Sequence, residues 1–326
     1  MATSTAVLSP SFLPFRSCED ELSKAFASFV DGDVATAPMA ARRLRDLLTD
    51  IRQRCSSEDE WRRIVDEQVR QQPVYPMALQ DPFVRRANAK PRGYAGDAVM
   101  LDYIYQHPSR QADLDEVPPM TRAAMQFTTN ANAPRAVRNR AALLAAEIDA
   151  LARRKARPAV FSMACGHLRE ALMSRAVQAG ELGRFLAIDQ DPESLAVVSG
   201  DVGRFGVEVR EGSVKTVIAR GATLGKFDFV YAAGLYDYLN EKWGQRLLEE
   251  LFNLLEPGGK VWVANFKPGI DDRAYMEALM DWWLIYRDEA EMMSLADTLP
   301  AELVARKRVF TEHEDNIVFL EVVRRG

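Results

Sequence analysis

The stretch "AVFSMACGHLREAL" at residues 159–172 decides the fold. An apolar, strand-like run passes through a tight turn at Ala164, Cys165 and Gly166 into a helical pattern. This strand–turn–helix order is typical of a nucleotide-binding βαβ unit. A dinucleotide fingerprint needs about three glycines in this turn, whereas Gly166 is the only glycine between residues 159 and 172. The pattern therefore favours a ligand that does not need a pyrophosphate cradle.

Downstream of Pro158, short β-rich runs alternate with amphipathic segments, which predicts a parallel sheet with helices on both faces. The predicted strands are 159–163, 185–188, 207–210, 227–232, 260–266, 304–311 and 317–323. The predicted helices between them are 168–179, 192–204, 241–255 and 272–286. Because residues 313–316 join the last two strands as a hairpin, we expect an α/β fold: a Rossmann-like doubly wound sheet that ends in an antiparallel hairpin.

Upstream of Pro158 the pattern is helical. Charged and apolar residues alternate with helical spacing at 19–31, 38–55 and 58–71, and prolines interrupt 73–91. The clearest helix is predicted at 134–153, where Val137, Ala141, Leu144, Ile148 and Leu151 form one apolar stripe. We therefore predict two domains, an all-helical one at 1–155 and the α/β one at 156–326.

Composition excludes several classes of function. The net charge of −5 leaves no global electrostatic footprint for nucleic acid. The three cysteines form no CxxC pair and the three histidines are scattered, so we expect no metal site and a reducing, cytoplasmic location. Residues 1–15 lack a basic segment and contain two prolines, so no signal peptide is expected. No apolar run is long enough to span a membrane. The expected partner is a small-molecule substrate, and nothing in the sequence sets an oligomeric state.

Polar residues follow each predicted strand at the edge where an open α/β sheet binds its ligand. Asp189, with Gln190 beside it, lies 23 residues beyond Gly166, a spacing that suits a carboxylate accepting both ribose hydroxyls. Gly212, Ser213 and Val214 follow the third strand, where an adenine edge would lie. A nucleoside without phosphates needs this carboxylate and a close backbone turn. S-adenosyl-L-methionine (SAM) is such a ligand.

In its order of motifs, the 156–326 half resembles a class I SAM-dependent methyltransferase. The family's first motif, an acidic residue followed by Gly-x-Gly-x-Gly, is reduced here to "SMACGHL" at 162–168. Asp189 matches the acidic second motif, and "EPGGKVWV" at 256–263 and the terminal hairpin complete the pattern. The resemblance implies SAM as cofactor. The candidate cofactor-binding residues are Arg92, Ala164, Cys165, Gly166, Asp189, Gln190, Gly212, Ser213, Val214 and Gly234.

A narrower resemblance includes the N-terminal half. The stretches "KPRGYAGDAVMLDYIY" (90–105), "SMACGHLRE" (162–170), "GLYDYL" (234–239) and "WWLIYR" (282–287) are similar to a bacterial subgroup. Its type enzyme makes 3-hydroxypalmitic acid methyl ester, and azetidine-2-carboxylate synthases are methyltransferase-like relatives. The resemblance implies that Arg92, Gly93, Tyr94 and Asp97 form a lid, which makes 1–155 a lid or substrate domain, and it suggests a role in secondary metabolism.

Candidate catalytic residues are Tyr94 in the lid and Tyr236 and Asp237 after the fourth strand, where a base for an alcohol or amine acceptor would sit. Candidate substrate-binding residues are Arg140, His167, Arg169, Tyr286 and Arg287. Each has a structural reading beside it: the arginines as ion pairs, Tyr286 as core, His167 as the start of a helix, and Cys165 as a small apolar wall rather than a nucleophile.

Three functions remain open. The first is methyl transfer to a small, carboxylate-bearing metabolite. The second is cyclisation of SAM, in which the methionine amine attacks its own Cγ to give azetidine-2-carboxylate and methylthioadenosine. The third is a non-catalytic SAM-binding interaction protein. A nicotinamide dehydrogenase is disfavoured by the single glycine.

Overall fold

The computed structural model describes residues 15–30 and 32–326. Residues 1–14, on which the expectation about a signal peptide rests, lie outside the described residues. No helix within the described ranges is long and apolar enough to cross a membrane.

The sheet has the predicted architecture, with seven strands in the order β3-β2-β1-β4-β5-β7-β6 among the described residues. The strands are β1 Ala159–Met163, β2 Arg184–Asp189, β3 Val207–Glu211, β4 Phe227–Ala232, β5 Leu255–Phe266, β6 Val304–Thr311 and β7 Ile317–Arg324. Strands β1 to β5 pair in parallel. Strand β7 pairs antiparallel with β5 and with β6. The mixed α/β, doubly wound fold with a terminal hairpin is therefore confirmed.

The strand order places the switch point between β1 and β4. From β1 the chain builds outward to β2 and β3, and it then returns to β4 on the other side of β1. At a switch point, the connections from two neighbouring strands lead in opposite directions. This leaves a crevice at the carboxyl ends of those strands. Residues just after β1, β2, β3 and β4 therefore converge on one edge of the sheet.

Several helices begin and end close to their predicted bounds, whereas the one predicted at 168–179 is divided at Ser174 into Arg169–Met173 and Arg175–Gln178. Side chains cap several of them: Ser57 accepts from the Glu60 N–H at 3.1 Å, and Asp288 and Glu291 form a reciprocal capping box. The helices are α1 Phe15–Val30, α2 Ala37–Arg54, α3 Glu58–Glu67, α4 Val74–Ala78, α5 Pro82–Ala89, α6 Ala98–Ile104, α7 Gln111–Asp115, α8 Pro119–Thr128, α9 Asn132–Arg154, α10 Arg169–Met173, α11 Arg175–Gln178, α12 Pro192–Val202, α13 Val214–Arg220, α14 Glu241–Asn253, α15 Arg273–Leu279 and α16 Glu289–Ser294.

The predicted helix at 272–286 is wrong beyond residue 279. Helix α15 ends at Leu279, Asp281 takes a left-handed φ of 47°, and no regular element follows until α16 begins at Glu289. Backbone hydrogen bonds to the loop after β4 and to the last residue of β5 hold this stretch instead. Ile285 N donates to Asp237 O at 2.8 Å and Arg287 N donates to Phe266 O at 3.0 Å. Long-range contacts, and not the geometry of a helical face, therefore determine where its aromatic residues lie.

The chain forms two compact units that are discontinuous in sequence. The helical unit contains residues up to Ala89, Ala112–Thr128 and Asp271–Trp282. The sheet unit contains Lys90–Gln111, Thr129–Ile270 and Trp283–Gly326. The sequence predicts one boundary, between residues 155 and 156, and this boundary stays a prediction. By contact, α6 and α9 group with the sheet.

Helix α9 groups with the sheet because its apolar stripe is buried. Val137 and Leu144 are 1% exposed and Ile148 is fully buried. At the charged end of the helix, Lys260 on β5 pairs with Glu147 at 2.6 Å. Burying a stripe of this kind is the main source of stability for an amphipathic helix, so α9 belongs to the core of the sheet unit.

Candidate active site

A cavity of about 240 Å³ opens at the carboxyl edge of the sheet, within the sheet unit. Its walls come from the ends of four strands, the segment before and within α6, and the middle of α9. The lining residues are Tyr94, Gly96, Ala98, Leu101, Tyr105, Arg140, Ala141, Leu144, 162–170, Asp189, Gln190, 212–214, Tyr231, Ala233, Gly234, Leu235 and Tyr238.

The turn after β1 is pinned to the end of β2. Ala164, Gly166 and Leu168 have left-handed φ values of 54°, 53° and 49°, so the backbone turns sharply toward the cavity. Cys165 N donates to Ile188 O at 3.0 Å, and Gly166 N donates to a carboxylate oxygen of Asp189 at 2.8 Å. A Cβ on Gly166 would stand 3.2 Å from the Cβ of Ala98. Glycine therefore lets the segment that carries α6 approach the turn.

The Asp189 carboxylate is a candidate acceptor at the floor of the cavity. The residue is 4% exposed. Its Oδ2 accepts from Gly166 N and its Oδ1 accepts from Asp191 N at 3.0 Å. An ionised carboxylate has about four acceptor positions, so two backbone donors leave capacity for two hydroxyl groups.

The segment after β3 forms the next wall. Ser213 caps α13 by accepting from Thr216 N at 3.3 Å. A Cβ on Gly212 would stand 3.1 Å from Ile188 Cγ2, which is tighter than ordinary contact, so glycine keeps this backbone close to β2. Burial is the main cause that raises the pKa of the Cys165 thiol well above its usual value. A neutral thiol is a poor nucleophile, and Cys165 therefore fits the apolar wall.

The stretch before α6 supplies Tyr94, which lines the cavity, and Arg92, which forms ion pairs outside it. The Tyr94 ring meets Tyr238 edge to face, with centroids 5.7 Å apart. Burial, with the nearby Asp189 charge, raises the pKa of Tyr94 to about 12, so Tyr94 stays a neutral phenol. Arg92 does not line the cavity. Its Nε pairs with Asp191 at 3.0 Å, and Nη2 pairs with Glu193 at the start of α12.

A buried cluster centred on Asp102 lies behind the turn. The carboxylate accepts from Arg169 Nε at 2.7 Å and Arg169 Nη2 at 2.9 Å, while His167 Nδ1 lies 2.8 Å from Oδ2. Burial opposes ionisation of Asp102, but the hydrogen bonds from Arg169 and His167 outweigh it and hold its pKa well below the usual value. Asp102 is therefore an anion. Arg169 also pairs with Asp201 at 2.6 Å.

A second polar cluster lies where β4 ends. Arg140, 5% exposed, reaches from α9 and donates from Nη1 to Ala233 O at 2.7 Å. Its Nη2 lies 3.6 Å from where a Cβ on Gly234 would stand, so the glycine keeps the wall open beside the guanidinium. Tyr231 Oη donates to Glu170 at 2.8 Å, and burial raises the pKa of Glu170. Arginine, tyrosine and glutamate thus face the cavity together.

The structure brings most of the candidate residues together, but not Arg92, Tyr236, Asp237, Tyr286 or Arg287, which are absent from the lining. Tyr236 belongs to the core and donates to Gly244 O at 3.2 Å. The Asp237 carboxylate accepts from Phe266 N at 2.7 Å, and burial raises its pKa to about 6. Asp237 therefore braces the loop after β4 against β5 and does not face the cavity.

Arg287 is likewise placed by structural contacts. Its Nη1 donates to Tyr236 O at 2.8 Å and to Asn265 Oδ1 at 2.6 Å, and its Nη2 donates to Leu239 O. These acceptors belong to the loop after β4 and to β5, so the guanidinium ties the 283–288 stretch to the sheet. The sequence placed it on a helix facing the crevice, and the irregular backbone after Leu279 removes that face.

Sequence reasoning missed Asp102, Glu170 and Tyr231. One signal for Asp102 was available, because it is an acidic residue inside the apolar run "AVMLDYIY" at 98–105, and a charge at such a position is rarely buried without partners. No local sequence pattern identifies its partners, because His167 and Arg169 are 65 and 67 residues away in the sequence.

The comparisons with known proteins agree with this geometry. Residues 161–263 match the family model described as a methyltransferase domain. No curated protein sequence matches the chain. A similar solved structure is a possible exported protein from Bordetella parapertussis, at 15% identity and a TM-score of 0.52, covering 78% of this chain and 100% of that one.

Two named methyltransferases are also similar. Magnesium protoporphyrin IX methyltransferase from Synechocystis PCC 6803, with bound S-adenosylhomocysteine, is 12% identical over 69% of this chain and 97% of its own, with a TM-score of 0.47. An N-methyltransferase from Bradyrhizobium japonicum WM9 is 13% identical over 58% of this chain and 96% of its own, with a TM-score of 0.41.

The cavity fits the nucleoside that this domain binds. It offers a carboxylate at the end of β2, apolar walls at Leu101, Cys165 and Val214, and a close left-handed turn at Gly166. It has no row of glycines for a pyrophosphate. The chain therefore has the class I SAM-dependent methyltransferase fold, with a methyltransferase domain at residues 161–263 and S-adenosyl-L-methionine as its cofactor.

Proposed function

We propose that the protein transfers a methyl group from SAM to a small metabolite that bears a carboxylate. The observation that carries this proposal is Arg140, a buried arginine in the cavity wall beside Gly234. The carboxyl end of β4 is the side of the crevice where an acceptor would meet the cofactor. A guanidinium there binds a carboxylate in a fixed orientation.

The pose of the cofactor follows from the walls. Asp189 accepts the ribose hydroxyls through the acceptor positions that Gly166 N and Asp191 N leave open. The 212–214 wall borders the adenine. Gln190 lines the cavity next to Asp189 and completes that side. The methionine part then points toward β4, Arg140 and Tyr238.

Bound SAM supplies a methyl group that is already activated on a sulfonium. The protein's task is to align an acceptor with that methyl and to exclude water. Tyr94 and Tyr238 supply neutral aromatic rings at the cavity wall, which suits contact with a sulfonium. The segment 92–98 acts as the lid, with Arg92 clasping Asp191 and Glu193 from outside.

The size of the cavity supports a small acceptor. Ligand sites commonly measure about 300–1,000 Å³, and this one measures about 240 Å³. The same observation favours a second candidate, cyclisation, because the methionine part of SAM carries both a carboxylate and an amine, so no second molecule is needed. The resemblance to azetidine-2-carboxylate synthases points the same way.

The nucleoside product separates the candidates. The purified protein is incubated with SAM alone and with SAM plus a panel of small amino, hydroxy and simple carboxylic acids. S-adenosylhomocysteine that forms only with an acid supports methyl transfer. Methylthioadenosine that forms from SAM alone supports cyclisation. Tight SAM binding without either product would contradict both and support a non-catalytic SAM-binding protein.

Arg140→Gln tests the carboxylate clamp. We expect kcat/KM for the acid to fall by about 10- to 100-fold, the scale of about 1.5–3 kcal/mol for a charge-assisted hydrogen bond, with SAM affinity nearly unchanged if the acid is a separate molecule. The matched control is Arg153→Gln, an exposed arginine on the same helix. Equal kinetics in the two variants would contradict the clamp.

A further inference from the structure

Of the two ring nitrogens of His167, only Nδ1 has a hydrogen-bond partner among the described residues. Nδ1 lies 2.8 Å from Asp102 Oδ2. Nε2 is buried and has no hydrogen-bond partner among the described residues. The residue is 7% exposed and lines the cavity. A buried polar atom without a partner is costly, and native proteins keep few of them.

The positions of the two residues indicate which way Nε2 points. His167 and Arg169 line the cavity, whereas Asp102 does not. Because Asp102 contacts Nδ1 and does not line the cavity, the ring edge opposite Nδ1 is turned away from Asp102. This opposite edge carries Nε2.

The chemistry of Asp102 fixes the tautomer. An ionised carboxylate only accepts hydrogen bonds, so His167 Nδ1 must carry the proton that it shares with Asp102. Arg169 Nη2 is 3.4 Å from Nδ1, too long to compete with the 2.8 Å contact. Nε2 is then the basic nitrogen, with its lone pair in the plane of the ring.

We propose that His167 is the general base of the reaction and that Asp102 is its positioning residue, which assigns the nucleophile as the amine of an amino acid. This inference rests on the proposed function and deepens it. A carboxylate nucleophile is ionised at neutral pH and needs no base, whereas an α-ammonium has a pKa of about 8 and must lose its proton first. An alcohol loses its proton to an imidazole only in concert with its attack on carbon, whereas an ammonium can lose it beforehand, so the amine is the easier nucleophile for this base. Arg140 suits the carboxylate of the same amino acid.

The proton and electron balance is simple. Nε2 takes one proton from the ammonium nitrogen, and Asp102 stabilises the imidazolium that results. The freed nitrogen lone pair forms the N–C bond while the C–S bond breaks, and that electron pair goes to sulfur as a neutral thioether. His167 returns its proton to solvent. The carbon is the methyl in transfer to an acceptor and Cγ in cyclisation, so the same base serves both candidates.

The groups that face His167 are few. Asp102 and Arg169 contact its ring, and Asp201 faces it through Arg169. His107 lies near enough to interact electrostatically with Asp102, Arg169 and His167.

The first test reads the tautomer without any turnover. The chain has three histidines, so ¹⁵N-detected imidazole spectra of the full-length protein are simple to assign with His167→Gln and His313→Gln. We expect Nδ1 of His167 to be protonated and Nε2 to be bare, and Asp102→Asn to change this state. A proton on Nε2 in the wild-type protein at neutral pH would overturn the proposal.

The second test is kinetic. His167→Gln should lower the turnover of SAM, alone or with amino acids, by about 10²- to 10⁴-fold, while calorimetry shows unchanged SAM affinity. His313→Gln, an exposed histidine in the terminal hairpin, is the control with wild-type rates. A loss smaller than about tenfold, or acceptance of 2-hydroxy acids in place of amino acids, would overturn the assignment.

The outcomes separate this inference from the proposed function. If the wild-type protein does not bind SAM, the proposed function fails, whereas the tautomer of His167 is still read directly. If SAM is consumed but His167→Gln is unaffected, a SAM-consuming reaction stands and the base assignment is overturned.

Discussion

Two buried aspartates at the carboxyl ends of strands have different roles. Asp189 ends β2 and lines the cavity, with backbone donors on both of its oxygens. Asp237 follows β4, but its carboxylate accepts from Phe266 N inside the protein. Both are buried, so burial does not distinguish them. What distinguishes them is the direction in which the backbone leaves the strand.

Asp189→Ala should weaken SAM binding by about 1.5–3 kcal/mol, because the ribose loses charge-assisted hydrogen bonds. Calorimetry with SAM measures this. Glu211→Ala is the control, since Glu211 ends the neighbouring β3, is exposed and does not line the cavity. Equal SAM affinity for Asp189→Ala and the wild-type protein would contradict the ribose role.

Asp81 in the helical unit makes stability depend on pH. It is 5% exposed, and burial raises its pKa to about 7 despite the hydrogen bond from Phe83 N at 2.8 Å. The folded protein therefore holds a proton that the unfolded chain releases near pH 4. The stability that Asp81 contributes is full below about pH 4 and is lost as the pH rises through about 7.

Asp81→Asn should remove this pH dependence. Relative to the variant, the wild-type protein should lose about 2–4 kcal/mol of unfolding free energy between pH 4 and pH 8. Denaturant titrations at the two pH values measure the difference. Asp66→Asn, whose side chain is 64% exposed, should run parallel to the wild type. Parallel behaviour of Asp81→Asn as well would mean that Asp81 is ionised in the folded protein.

Among the elements, the strands were predictable and the stretch after α15 was not. The bounds of β1 and β4 match residue for residue, because a buried strand of a parallel sheet is a short apolar run between turn residues. The run "WWLIYR" has helical spacing but takes another shape. Its partners are the carbonyls of Tyr236 and Leu239, some 50 residues upstream, and no local pattern reports such contacts.

Arg287→Lys should lower the melting temperature with little direct effect on the kinetics. Lysine cannot reach Tyr236 O, Leu239 O and Asn265 together, and each buried acceptor left without a donor costs about 1–3 kcal/mol. Thermal unfolding and kcat/KM are compared with those of Arg306→Lys, which changes a half-exposed arginine on β6. A loss of kcat/KM at an unchanged melting temperature would instead support a substrate clamp.

At the scale of the whole molecule, the order of motifs predicted the sheet but not the units. Helix α9 was predicted with its correct apolar stripe and was assigned to the helical half. An apolar stripe indicates that a helix is buried, but it does not identify the element that the helix packs against. The same limit applies to residues 90–111, whose grouping with the sheet unit rests on contacts such as Asp102 with Arg169.

A chain shortened to begin at Pro158 should therefore fail to melt cooperatively, because it lacks α9 and exposes the face that Leu144 and Ile148 cover. A chain that begins at Ala131 keeps α9 and should keep the cooperative transition, although it lacks the lid segment and the Asp102 cluster. Circular dichroism during heating measures both. Equal melting of the two shortened chains would show that α9 adds little to the sheet unit.

The strand order leaves β3 and β6 at the two borders of the sheet, and this has a consequence for how the protein behaves at high concentration. A border strand offers unpaired backbone groups to any other extended chain. Strand β6 carries Arg306, Lys307 and Arg308 in succession, and two of these cations are anchored to Glu321 on β7. Strand β3 carries Glu208, Arg210 and Glu211. Rows of charge at both borders oppose the addition of another strand to the sheet. We therefore expect them to reduce aggregation through these two strands.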